Sequence, residues 1–108
     1  MIKHELFEED LQELARLAKA LSHPARIQIL KYVAESKTCI SGDISKELPL
    51  SRTTVSQHLS ELKEAGLLKG QVEGVKIKYC LCANNINRLK TVFQGFLEEL
   101  EVNTTSSC

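Results

Sequence analysis

Two sets of residues in this 108-residue chain have the types and spacing to do chemistry. The first is Thr53, Ser56, Gln57 and Ser60, at i, i+3, i+4 and i+7 within LSRTTVSQHLSELKEAG at 50–66. On a helix those four share one face. A face that only needs solvating usually carries Lys and Glu. An uncharged stripe of hydroxyls and an amide suits base edges, where donors and acceptors are read rather than charge. The second set is four cysteines, Cys39, Cys80, Cys82 and Cys108. Without a secretory context their even number does not imply a disulfide framework, so reduced thiols, metal ligands and redox sensors are their open chemistries.

The stretch 50–66 has the marks of a recognition helix. Val55, Leu59 and Leu62 form its apolar side. Ser51 can cap it, and Arg52 stands in the first turn beside unpaired N–H groups that suit a phosphate. Gly66 is placed for a left-handed C-cap. A short helix at 41–47, with Ile44 and Leu48 inward, precedes it, and Pro49 forces the turn between them. Helix, tight turn and longer helix make a helix-turn-helix.

The remaining elements must hold that pair. A helix at 5–20 repeats Phe7, Leu11, Leu14, Ala18 and Leu21 in a heptad-like seam. Ser22 can cap, and Pro24 opens, a second helix at 24–35 that buries Ile27, Leu30, Val33 and Ala34. His23 reads as a turn or core-edge residue. After Gly66 the period changes from 3.6 to 2: Leu67 and Leu68 begin a strand, Glu73-Gly74 turns, and 75–82 alternates. Val75, Ile77, Tyr79 and Leu81 face one side of that strand; Lys76, Lys78, Cys80 and Cys82 face the other. Such a hairpin beside a recognition helix is a wing, with its lysines against phosphates. Asn84 can cap a last helix at 85–101 whose stripe is Ile86, Leu89, Phe93, Phe96, Leu97 and Leu100. The polar tail 102–108 is expected to fray.

The fold class is therefore mainly α with a small β-hairpin, a winged helix-turn-helix in the order α-α-α-α-β-β-α, forming one DNA-binding domain over 1–101. A core of this size covers only part of the first and last helices. Their apolar faces predict a homodimer, with two recognition helices roughly 34 Å apart on DNA. The formal charge is zero, but residues 15–82 hold 11 Lys and Arg against 6 Asp and Glu between acidic ends. That polarity fits a nucleic-acid partner. MIKHELFEED is not a signal peptide and no apolar run approaches a membrane span, so a cytoplasmic protein with no membrane partner is expected. His4, His23 and His58 stand in no nucleophile motif, and no loop exceeds a turn, which argues against an enzyme.

LAKALSHPARIQILKYV, TVSQHL followed by LKEAGL, and the Glu-Gly wing turn closely resemble the ArsR/SmtB family of bacterial metal- and metalloid-responsive repressors. The resemblance covers about residues 8–100. It implies a dimeric winged helix that binds a palindromic double-stranded operator and releases it when an inducer binds. The family's DNA-contacting positions fall on Ser51, Arg52, Thr53, Thr54, Ser56, Gln57 and His58 and on the wing lysines Lys76 and Lys78. Ser60 belongs to the same polar stripe, and Lys63 is expected at a phosphate. His58 also lies beside Val55 and Leu62, so it is shared between DNA and core.

The inducer is less legible. Metalloid-sensing members carry Cys-x-Cys before the turn; this chain reads Thr38-Cys39-Ile40-Ser41-Gly42-Asp43 there, and a hydroxyl is a poor ligand for soft ions. No His follows residue 58, so a zinc site on the last helix is not expected. Cys80 and Cys82 are spaced like a chelating pair. With Cys39 they could offer three thiolates to As(III) or another thiophilic ion, if the fold brings them together. The alternatives are thiol oxidation or persulfide sensing, with Cys39 pairing to Cys108 or to a strand cysteine, and a structural Cys39 with no metal inducer.

Overall fold

Proline and glycine punctuation sets the element boundaries in the computed structural model, which describes residues 7–36, 39–41 and 44–102. The order is α1 (Glu9–Ala20), α2 (Pro24–Glu35), β1 (Cys39–Ser41), a 3-10 turn (Ile44–Glu47), α3 (Arg52–Glu64), β2 (Leu68–Glu73), β3 (Lys76–Leu81) and α4 (Ala83–Glu99). The expected short helix at 41–47 is a 3-10 turn over Ile44–Glu47, with Ser41 ending a strand before it, and Ile44 and Leu48 do point inward. Pro24 opens α2, with its missing N–H at a position where no helical partner exists. The cap is His23, not Ser22: its Nδ1 accepts from the Ala25 N–H at 3.0 Å, while the Ser22 hydroxyl donates back to the Lys19 carbonyl.

At the far end of α3 the backbone closes in a Schellman pattern. Gly66 N–H donates to the Lys63 carbonyl and Leu67 N–H to the Leu62 carbonyl, with Gly66 at φ 82°. Asn85 Nδ2 donates to the Gly66 carbonyl at 2.7 Å, tying α4 to this corner. Asn85 rather than Asn84 does local work here, and Cys82 occupies the N-cap position of α4.

The sheet is antiparallel in the order β1-β3-β2. Leu68 faces Leu81 at the hairpin base and Glu73 faces Lys76 at the tip, where Gly74 turns the chain at φ 63°. Burial along β3 rises from tip to base, so the tip projects and the base is enclosed. Cys80, expected on the outer face with the lysines, is instead buried, its sulfur bonded to Cys39 of the flanking strand β1.

The core gathers Leu17 and Ala20 of α1, Ile29 and Val33 of α2, Val55, Leu59 and Leu62 of α3, and Leu67 and Leu68. One expected buried face differs, that of α2, and α1 buries residues outside its apolar seam. In α1 the buried residues are Leu17 and Ala20, and the seam residues Phe7, Leu11 and Ala18 are exposed. In α2 the buried residues are Ala25, Ile29 and Val33, leaving Ile27 46% exposed. No residue of α4 is fully buried: Ile86, Leu89 and Phe93 pack against the core, while Phe96, Leu97 and Leu100 do not. Arg88 of α4 holds Glu13 of α1 through both Nε and Nη2, at 2.7 to 3.2 Å. That guanidinium keeps the Glu13 carboxyl below its usual range.

Candidate nucleic-acid interface

α3 is oriented by two opposed faces. Val55, His58, Leu59 and Leu62 are buried against the rest of the domain. Arg52, Thr53, Ser56, Gln57, Ser60 and Lys63 are exposed, so the uncharged stripe faces outward as one surface. The Ser51 hydroxyl accepts from the Thr54 N–H at 3.2 Å and donates to Thr54 Oγ1 at 2.9 Å. Thr54 is half-buried in this way, and its hydroxyl is engaged with the cap.

Beside α3 runs a groove of about 540 Å³ whose opposite wall is the wing, formed by Val75, Lys76, Ile77 and Tyr79. Val55 and Leu59 are part of its lining, while Arg52, Ser56 and Lys46 bring polar groups to it. Cations from three elements, α3, the 3-10 turn and β3, thus surround one channel next to the polar stripe. Sequence reasoning misses Lys46, whose only signal is a basic residue in the first element of the helix-turn-helix. Lys78 is half-buried, paired in register with Ser41 and Gln71. Lys63 lies over β2 instead, its Nζ 3.5 Å from where a Cβ on Gly70 would stand.

His58 does not join the exposed stripe. It is 7% exposed, and its Nδ1 accepts from Arg26 Nε at 3.2 Å. Burial, then His23 and Arg26, push its imidazole below the ordinary range, with Glu61 opposing.

Cys39 and Cys80 are cross-strand partners, Cα to Cα 4.0 Å, and are joined by a disulfide. Cys82 is a half-buried free thiol two residues beyond β3's cysteine. Cys108, and with it a Cys39–Cys108 pair, lies outside the described residues, as does the side chain of Ser41. Among the described residues no three His, Cys, Asp or Glu side chains converge on a point where an ion could be held. No helix among them is long and apolar enough to cross a membrane.

A buried-backed polar helix, the tight turn before it and a projecting hairpin beside it define a winged helix-turn-helix. Residues 23–69 match the family described as "Bacterial regulatory protein, arsR family". The regulator YgaV of Escherichia coli K12 is 31% identical over 78 residues, covering 72% of this chain and 79% of YgaV. CmtR of Mycobacterium tuberculosis H37Rv is 37% identical over 75 residues; the match takes in 69% of this chain and 63% of CmtR's length. In structure, the chain resembles the homodimeric winged helix-turn-helix DNA-binding domain of Mb0332 from Mycobacterium bovis, a possible ArsR-family regulator. The TM-score is 0.60 at 29% identity, with 84% of each chain covered. This chain belongs to the ArsR family, whose members are regulators rather than enzymes.

Proposed function

We propose that this chain is a cytoplasmic transcriptional repressor that binds a palindromic double-stranded operator as a homodimer and releases it when its cysteines react. The observation that carries the DNA half is the outward face of α3, polar and uncharged, beside a groove lined by Lys46, Arg52 and Lys76. Thr53, Ser56, Gln57 and Ser60 read bases, while the cations and the N-terminus of α3 hold phosphates. The dimer half is supported by the uncovered apolar residues of α1 and α4 and by the homodimeric state of Mb0332.

Purified protein that selects from a random duplex library should recover a two-fold symmetric site with half-sites about one DNA turn apart. On that site, Gln57→Ala should cost about 1–3 kcal/mol and relax preference at one base pair per half-site. Lys76→Ala should weaken all sequences alike and lower the salt slope by about one for each phosphate left without its lysine. Selection that returns no symmetric site, or binding indifferent to salt, would remove this reading.

Thiol oxidation is the releasing signal that the cysteine geometry favours, since Cys39 and Cys80 face each other across adjacent strands and are bonded. A peroxide takes two electrons from the two thiols; the sulfurs join, and the thiol protons leave in two waters. In a reducing compartment such a bond serves sensing rather than permanent structure. The bond ties the wing's second strand to the segment leading into the helix-turn-helix, so it can shift the wing against α3. Operator affinity should fall about tenfold on oxidation, and Cys80→Ser should bind alike with and without peroxide. Reduced, Cys39 and Cys80 with Cys82 supply the second reading, an As(III) or other thiophilic ion as inducer that draws together three thiols which do not converge in this structure. Its support is the adjacency of Cys39 and Cys80 with Cys82 two residues on. Arsenite that displaces reduced wild type from the operator but spares Cys82→Ser would favour the ion over oxidation.

A further inference from the structure

The buried histidine of the recognition helix has no part in base reading, yet it sits where three helices meet. The His58 ring stands 4.4 Å from that of His23, centroid to centroid, tilted by 48°. The guanidinium that donates to His58 Nδ1 also reaches α1: Arg26 Nη1 donates to the carbonyls of Lys19 at 3.2 Å and Ala20 at 3.4 Å. His23 Nδ1 meanwhile caps α2. A single guanidinium therefore joins the C-terminal end of α1, the first turn of α2 and the inner face of α3.

This junction works only with a neutral ring. An imidazole that accepts through Nδ1 carries its proton on Nε2. Nε2 of His58 is buried and has no partner among the described residues. A second proton would abolish the acceptor that Arg26 uses and set a cation against a guanidinium in a poorly solvated place. The charged and titratable groups that bear on it are His23 and Arg26 from α2 and Glu61 from α3. Arg16 and Lys19 of α1 line the cleft over this junction with Arg26, Glu61 and Glu64. From α1 the direct contribution is the two carbonyls that Arg26 grips.

We propose that His58 is a positioning residue for DNA binding: as a neutral acceptor for Arg26 it fixes the seat of α3 on α1 and α2, and its protonation loosens that seat and weakens operator binding. The proposal rests on α3 being the DNA-reading helix. The sign follows from linkage. The folded imidazole lies below the unfolded value of about 6.5, so the unfolded state binds more protons between the two values. Stability from the neutral ring is present above about 6.5 and is lost as pH falls through the lowered folded value. Bulk electrostatics runs the other way, because added positive charge strengthens attraction to phosphate. The sign of the pH effect separates the two.

The test uses the full chain and its selected operator at constant ionic strength, at about pH 7.5 and about pH 5.5. Wild type should bind roughly tenfold more weakly at the lower pH, the size of one broken charge-assisted hydrogen bond. His58→Asn, whose Oδ1 can stand near the position of Nδ1, should match wild type at the higher pH and lose the weakening. Tighter wild-type binding at low pH, or an equal loss in His58→Asn, overturns the proposal. Should His58→Asn fail to fold, NMR of the wild-type histidines decides without a variant. His58 should show the Nε2–H tautomer, titrate below the free imidazole, and lose amide protection in α3 before α4 as it titrates. An Nδ1–H tautomer or an unshifted titration refutes it. A chain that selects no operator at either pH instead refutes the DNA reading, and the histidine spectrum, which needs no DNA, still judges the seat.

Discussion

Leu97→Glu is expected to leave the protomer folded, convert a dimer to a monomer, and weaken operator binding by about a thousandfold or more, the usual gap between specific and non-specific binding. Leu97 is 60% exposed, so a carboxylate there meets water in the single chain. It stands with Phe96 on α4 and Leu100 at its C-cap, and Phe7 and Leu11 are likewise uncovered near α1. Leu11, Leu14, Val92 and Phe96 line a shared groove between α1 and α4, so the uncovered residues are continuous with a real inter-helix seam. Apolar side chains grouped this way are seldom left to solvent. Closing a partner over them would bury the introduced charge without a counter-ion, at a cost of several kcal/mol. A monomer presents one recognition helix and forfeits the second half-site. Sedimentation measures the association and a mobility shift measures the DNA. A wild type that sediments as a monomer, or a Leu97→Glu protein that still dimerises and binds, contradicts the expectation.

The same seam explains what the sequence could and could not reveal. In the first helix the heptad of Phe7, Leu11 and Ala18 reads as a seam only partly covered by the core, and the residues that are buried, Leu17 and Ala20, lie outside that heptad. The helix carries two apolar sides, and periodicity alone cannot say which meets its own core and which is left for another surface. α2 has the same ambiguity in stronger form. Ala25, Ile27, Ile29, Leu30, Val33 and Ala34 wrap much of its circumference, and Ile29 is enclosed where Ile27 is not. α3 is legible because its two faces differ in kind, aliphatic against hydroxyl and amide, and because Pro49 and Gly66 bracket it.

Strand details follow a different logic. The wing is readable from the change of period and from Gly74, which does turn the chain with positive φ. β1 is not, because three residues are too few to show a period. Missing β1 also misplaces Cys80. Strict alternation puts it with Lys76 and Lys78, but alternation predicts exposure only where one face of a sheet is open. At the hairpin base β1 pairs with β3 and brings Cys39 opposite Cys80, a pairing of residues 41 apart that no local pattern announces. His58 is half legible: its place beside Val55 and Leu62 marks the inner side, but Arg26 and His23 come from another helix.

Leu62→Ala tests the inner face on which all of this depends. Leu62 is fully buried, in one cluster with Ile29, Val33, Leu59, Leu67 and Leu68. It is also the residue whose carbonyl accepts from Leu67 N–H at the end of α3, so its side chain and that of Leu67 close the corner together. Truncation removes the transfer free energy of the missing methyls and leaves a cavity that a close-packed core refills poorly, a loss of about 2–5 kcal/mol. Against the 5–15 kcal/mol typical of a domain, that is a large share. Urea unfolding at fixed protomer concentration should show the midpoint falling with little change in slope. Ser60→Ala, two residues away on the exposed face, should shift stability by no more than about 0.5 kcal/mol. The two variants should exchange places in DNA binding. Leu62→Ala lowers the amount of folded protein while its folded molecules bind with near-normal discrimination. Ser60→Ala stays folded and alters only the interactions at the operator. Equal stability losses from the two would mean that α3 does not divide into a buried and a reading face.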